Sequence, residues 1–286
     1  MSGSSNPTVF LNGEYLPKSE AHLSPDDRGF LFGDGVYEVV RAYEGKFFAM
    51  KPHLGRLEKG LEFLEIDADA YALEPICREL MKRNDLEGTD AVIYMQITRG
   101  AAPRRHAFPL EPVPPTIFAQ ASAFAPKGDP LDGISVITVP DLRWARCDIK
   151  TVNLLGNCLA NQKAQSLGSS EAIQVRDGVA LEGTATSFFG VFGGEVRTAP
   201  KSNYILPSIT RQTVIDVCHD SDIPIREEPI FVEELAKADE LFMAGTTMEV
   251  MPVISVDGNK VADGTPGPVQ RKLYELFRNR VAELSD

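Results

Sequence analysis

The stretch RWARCDIKTVNLLGN, residues 143–157, sets one lysine between an apolar isoleucine and a threonine. Its neighbours place Lys150 at the end of a strand, just before a helix, unlike the solvated positions most lysines occupy. A lysine amine can form a Schiff base with a carbonyl when an apolar or cationic setting lowers its pKa. If that carbonyl is carried on a pyridine ring, a carboxylate is needed near the ring nitrogen to keep it protonated and electron-withdrawing. Glu182, in LEGTATSFFG, suits that task. A phosphate on the same molecule calls for backbone N–H groups at a helix start and for a cation. ILPSITRQTVI opens a helix at Ile209 and Thr210, AGTTMEV offers the hydroxyls of Thr246 and Thr247, and Arg56 could supply the charge.

The elements that must position these residues alternate between strands and helices without a strict βαβ rhythm. TVFLNGEYL carries Asn12-Gly13 between β-prone residues, a strong two-residue hairpin signal, and VYEVVRAYEGKFFAM repeats the device at Glu44-Gly45. KPHLGRLEKGLEFLEI spaces Leu54, Leu57, Leu61 and Leu64 three and four apart, with Pro52 where a first helical turn tolerates it. This predicts an amphipathic helix. A second helix near LEPICRELMKRN leads to AVIYMQITR, in which Ala91, Ile93, Met95 and Ile97 alternate with more polar neighbours, and TIFAQASAF reads as the next strand. APKGDPLDG is the best linker candidate, which predicts a smaller N-terminal domain over 1–126 and a larger cofactor-binding domain over 127–286. The second half continues with the strand ISVITV, a helix ending near QKAQSLG, and short strands broken at Asp177-Gly178 and Gly193-Gly194. A helix near TRQTVIDVCHD, the strand ELFMAG and a terminal helix over PVQRKLYELFRNRVAEL complete it. Mostly antiparallel strands with helices alongside imply an α+β fold.

Composition narrows the function classes. A net charge of -12 argues against non-specific nucleic-acid binding, which rewards clustered Lys and Arg. Cys77, Cys147, Cys158 and Cys218 are scattered without the pairing of a zinc site or disulfide framework, so free thiols in the cytoplasm are expected. MSGSSNP lacks the basic region and apolar run of a secretory leader, and no apolar stretch is long enough to span a membrane, so neither a leader nor a membrane span is expected. His22, His53, His106 and His219 lack the spacing of a helical metal pair, and no metal is expected. GDGVYE does not fit a Walker loop, no G-x-G-x-x-G joins a strand to a helix, and there is no G-x-S-x-G elbow.

Taken singly, Arg56 reads as a surface charge, His106 as a loop histidine, Tyr37 as a strand aromatic and Glu182 as a turn carboxylate. Taken in order, the segments RGFLFGDGVYEVVRAYEGKFF, TRGAAPRRHAFP, RWARCDIKTVNLLGN and DELFMAGTTMEVMPVISVDG resemble the fold-type IV pyridoxal-phosphate enzymes, above all the D-amino-acid aminotransferases. The resemblance covers nearly the whole chain. It implies that Lys150 holds pyridoxal 5′-phosphate as a Schiff base and moves a proton between the substrate α-carbon and cofactor C4′. It gives Glu182 to the ring nitrogen, Leu206 to the back of the ring, and Arg56, Ile209, Thr210 and Thr246 to the phosphate, with Thr247 adjacent. It also implies a trap for the substrate α-carboxylate built from Tyr37 with Arg104 and His106 of a second subunit, hence a homodimer acting on amino acids and 2-oxo acids. Arg and its neighbours suit that role because a guanidinium gives a carboxylate paired hydrogen bonds.

Three positions depart from the pattern. Cys158 stands where branched-chain enzymes place a tyrosine, Gly245 where a serine commonly precedes the two threonines, and Ser187 where asparagine is usual. Two further activities remain open on the same scaffold, an (R)-selective amine transaminase and a branched-chain L-amino-acid aminotransferase or lyase. Against a non-catalytic binding protein stands the retention of Lys150 and Glu182.

Overall fold

The structure is a computed structural model that describes residues 6–126 and 131–284. The expected linker falls partly on 127–130, outside the described residues. The chain divides into two compact units, one of Met1–Ala125, Ile149–Asn153 and Leu284–Asp286, the other of Pro126–Asp148 and Leu154–Glu283.

The first unit holds β1 (Thr8–Leu11), β2 (Glu14–Pro17), α1 (Arg28–Phe32), β3 (Gly35–Tyr43), β4 (Lys46–Phe47), α2 (Met50–Leu64), α3 (Leu73–Arg83), β5 (Ala91–Thr98) and β6 (Thr116–Ala123). Its strands form a six-stranded antiparallel sheet in the order β2-β1-β6-β5-β3-β4. Both hairpin signals act as the sequence suggests: Asn12 and Gly13 take φ of 49° and 97°, Glu44 and Gly45 of 50° and 83°. Paired left-handed residues match the twist of the flanking strands, and this is why Asn-Gly works there. Ala91, Ile93, Met95 and Ile97 of β5 are fully buried on one sheet face. They share a core with Leu54, Leu57 and Leu61 of α2 and with Cys77 and Leu80 of α3. Each such leucine contributes about 1.5–3 kcal/mol relative to exposure, so the leucine stripe is what ties α2 to the sheet.

The second unit contains β7 (Ile134–Pro140), α4 (Leu155–Ser166), β8 (Glu171–Arg176), β9 (Val179–Glu182), β10 (Ser187–Phe192), β11 (Glu195–Thr198) and α5 (Ile209–Asp220). It continues through β12 (Ile225–Glu227), β13 (Ile230–Phe231), β14 (Glu240–Gly245), β15 (Glu249–Val256), β16 (Asn259–Lys260) and α6 (Pro268–Leu284). The sheet runs β12-β11-β10-β14-β15-β7-β8-β9-β13, with β16 on β15. β7 is parallel to both β15 and β8, and β11 to β12; the other neighbours are antiparallel. β9 also meets β10 at a single pair, Glu182 opposite Ser187, so the path from β10 round to β9 closes on itself at that carboxylate. The fold is α+β.

One expectation is corrected. Lys150 does not end a strand: β7 stops at Pro140, and Lys150 lies in an irregular segment. The segment is fixed instead by β3. Tyr37 N–H donates to the Lys150 carbonyl at 3.0 Å, Val152 N–H donates to the Gly35 carbonyl at 3.1 Å, and Val36 bridges Thr151.

Candidate active site

In the first unit, Lys150 is positioned by its own backbone against β3, which carries Nζ 4.2 Å from the centre of the Tyr37 ring. A lysine head group over an aromatic face is attracted by the ring quadrupole, so Tyr37 steadies the Lys150 side chain in place. Tyr37 stacks on Tyr94 at 5.7 Å, and Tyr94 donates its hydroxyl to Gln96 Oε1 at 2.5 Å. Burial pushes the Tyr94 phenol up to about 12, so it stays protonated.

Glu38, the next residue of β3, lies fully buried against α2. Arg56 grips it with Nε to Oε1 at 2.6 Å and Nη2 to Oε2 at 2.9 Å, while His53 Nδ1 meets Oε2 at 2.8 Å. Burial works against ionisation of Glu38, yet Arg56 and His53 outweigh it and hold the carboxyl well below the usual range. Burial pushes His53 down despite Glu38, so it is the neutral ring that donates Nδ1–H. Arg56 is thus no solvated surface charge but a guanidinium already oriented by a buried carboxylate. Sequence reasoning passed over Glu38 and His53. A signal was there: in GVYEVV, alternation gives Glu38 the inward parity of Val36 and Val40.

This cluster has a pH signature. His53 is neutral when folded but titrates near 6.5 when unfolded, so its contribution is complete above that value and is lost as pH falls toward its lower folded one. Glu38, depressed, keeps its contribution to far more acidic pH. Between about pH 7.5 and about pH 5 the melting temperature should therefore fall more steeply in the native chain than in His53→Gln. Equal slopes would reject the assignment.

Arg104 and His106 stand exposed on the loop after β5. Their backbone is nonetheless held, because buried Arg28 donates to the carbonyls of Arg105 at 2.7 Å and His106 at 3.4 Å while pairing with Asp34 at 2.7 Å. Phe32 lies 5.2 Å under the Arg104 guanidinium and 5.8 Å edge-on to the His106 ring.

In the second unit, Glu182 ends β9 and is buried. Arg143 donates Nη1–H to its Oε1, and the Leu206 N–H reaches Oε2 at 3.1 Å, so the residue expected behind the ring is tied to the carboxylate by its own backbone. Burial pushes the Glu182 carboxyl up, and Arg143 opposes that push. The turn after Glu182 is tight. Buried Glu171 accepts the Thr184 N–H at 3.1 Å and the Thr184 and Thr186 hydroxyls, and Asn157 and Asn161 of α4 donate to Thr184. A Cβ on Gly183 would come within 2.1 Å of Thr186 Oγ1. Gly183→Ala should cost about 1–3 kcal/mol, read as a lower urea midpoint; an unchanged midpoint would show the turn to be loose.

α5 starts at Ile209 behind Ser208, whose hydroxyl accepts the Arg211 N–H at 3.1 Å. The N–H groups of Ile209 and Thr210, in the first helical turn, find no partner within the helix. Thr246, half-buried, and Thr247, exposed, lie in the turn between β14 and β15, and α5 packs on β14. Gly245 has its own reason: a Cβ there would stand 3.1 Å from Thr186 Cγ2.

The donor set fits pyridoxal phosphate in its chemistry: a lysine amine, a buried carboxylate, and helix-start N–H groups with hydroxyls. The buried Ser187 hydroxyl, directly across the ladder from Glu182, has no hydrogen-bond partner among the described residues. Arg143, too, was missed by sequence reasoning; no spacing connects it to Glu182.

The pattern of the amino-transferase class IV family matches residues 35–256. The D-alanine aminotransferase of Staphylococcus haemolyticus is 42% identical over 281 residues, covering 97% of this chain and 99% of that one. The branched-chain amino acid aminotransferase of Escherichia coli superposes with a TM-score of 0.91 at 25% identity, covering 99% of this chain and 97% of its own. The T.th. branched-chain amino acid aminotransferase with pyridoxamine 5′-phosphate gives a TM-score of 0.88 at 27% identity, with 98% and 95% covered.

Proposed function

This chain belongs to the amino-transferase class IV family, and from that premise we propose that it is a D-amino-acid transaminase passing the amino group of a donor such as D-alanine to a 2-oxo acid such as 2-oxoglutarate. The observation that carries the reading is the full-length likeness, at 42% identity, to a D-alanine aminotransferase. The branched-chain reading rests on likeness of fold, at a much lower 25–27% identity.

The cofactor is pyridoxal 5′-phosphate. When bound, it supplies the aldehyde that captures the amino group and the ring that accepts the electron pair of the α-C–H bond. Lys150 Nζ would hold it covalently and would serve as the base that moves the substrate α-proton between the α-carbon and C4′. Glu182 would accept a hydrogen bond from the ring N–H, and Leu206 would pack behind the ring. Arg56, the N–H groups of Ile209 and Thr210, and the Thr246 hydroxyl bind the phosphate, with Thr247 at its margin. Tyr37 orients the substrate α-carboxylate together with Arg104 and His106 of the partner subunit. In support, Arg104 and His106 present exposed head groups on a loop whose backbone is pinned. A cytoplasmic homodimer follows as part of the same reading, with residues 127–286 as its cofactor-binding domain. Among the described residues no helix is long and apolar enough to cross a membrane.

The test is a half-reaction titration. D-alanine, D-glutamate, L-leucine and (R)-1-phenylethylamine are added separately to the holoenzyme, and loss of the cofactor absorbance is followed. Rapid loss with the D-amino acids alone is the expected result. Loss with L-leucine or the amine, and none with D-amino acids, would transfer the assignment to one of the other two activities.

A further inference from the structure

We propose that Arg143, locked by Asp141 and Arg176, is a positioning residue that keeps Glu182 ionised and aimed, and so sets how firmly the cofactor's ring nitrogen is held. The inference rests on the assignment of Glu182 to that nitrogen.

The guanidinium of Arg143 is buried and its polar edges are used. Nε and Nη2 reach Asp141 at 2.9 and 3.1 Å, Nη2 also reaches the Tyr204 carbonyl at 3.1 Å, and Nη1 reaches Glu182. The Asp141 carboxylate is itself out of solvent and accepts the Arg143 backbone N–H at 3.0 Å and Arg176 Nη2 at 3.1 Å. Arg176 returns a hydrogen bond to the Arg143 carbonyl at 3.1 Å. Two cations and two anions therefore form one balanced cluster. Its internal division matters more than its sum. Arg143 gives two side-chain N–H groups to Asp141 and one to Glu182, so most of its charge is answered before Glu182 takes its share. Without Arg143, burial would push Glu182 toward its neutral form, which cannot offer a carboxylate to a ring N–H. With Arg143 alone, a fork on both oxygens would compete with the ring for them. The observed arrangement leaves Oε2 with only the Leu206 N–H in the described structure. Packing reinforces it: a Cβ on Gly156, at the start of α4, would lie 3.0 Å from Arg143 Cγ.

The experiment compares binding of pyridoxal 5′-phosphate and its 1-deaza analogue, in which carbon replaces the ring nitrogen, to the apo forms of the native chain, Arg143→Met, Arg143→Lys and Glu182→Gln. Circular dichroism serves as the check of folding. Arg143→Met should lose about tenfold or more in affinity for the natural cofactor, the worth of one charge-assisted hydrogen bond, and bind the analogue nearly as the native chain does. Arg143→Lys should fall between, because an ammonium restores the charge without the fork. Equal weakening toward both ligands, or none toward either, overturns the proposal. If Glu182→Gln leaves the preference between the ligands unchanged, it is the assignment of Glu182 that has failed. Should Arg143→Met not fold, Arg176→Gln carries the test: a smaller loss confined to the natural cofactor supports the proposal, and an unchanged preference overturns it.

Discussion

Lys150→Ala is expected to lower turnover of D-alanine with 2-oxoglutarate by about 10⁴-fold or more, because one amine supplies both the covalent attachment and the proton transfer. The neighbouring groups do not replace it. His53 is committed to Glu38 with its ring neutral, and the Tyr94 phenol stays protonated. The fold should survive, since the segment is anchored by backbone bonds, Tyr37 N–H to the Lys150 carbonyl and Val152 N–H to the Gly35 carbonyl, which the substitution leaves alone. The variant should therefore melt close to the native temperature, and added methylamine should restore part of the proton transfer. A folded variant retaining more than about a hundredth of native turnover would remove Lys150 from the centre of the chemistry.

Arg56→Met is expected to destabilise the chain by about 3–5 kcal/mol, read by urea unfolding, because it strands a carboxylate that is fully buried. His53 offsets only part of this, since burial, the largest influence on its ring, still disfavours the charged form once the Arg56 charge is gone. Adding Glu38→Gln to the same chain removes the stranded charge and should recover most of the loss. The double variant thereby separates two roles of one residue: stability returns, while affinity for pyridoxal phosphate, which on the proposed reading uses Arg56 at the phosphate, does not. A double variant as unstable as the single one would trace the loss to packing of the arginine stem instead.

How much of this was legible beforehand varies by residue. The two hairpins follow from Asn12-Gly13 and Glu44-Gly45, the α2 stripe from Leu54, Leu57 and Leu61, and the inward face of β5 from its alternation. These are local periodicities, set by residues a few positions apart and therefore readable in one dimension. The helix start at Ile209 was also legible, and Lys150 and Glu182 were singled out by residue chemistry and the order of the motifs.

What the tertiary structure alone decided is which charges meet. Taken singly, Arg56 reads as a solvated charge on a helix flank and only residue chemistry with the order of the motifs gives it to the phosphate, while Glu38 and Arg143 have no roles. Folding places α2 on β3, which buries Glu38 between His53 and Arg56, and closes β9 onto β10, which leaves Glu182 within reach of Arg143 and Leu206. The same holds for Lys150, whose place is fixed by β3 and not by the strand expected before it. Whether a charged side chain is solvated or buried depends on a partner brought from far along the chain, and no local pattern encodes that distance.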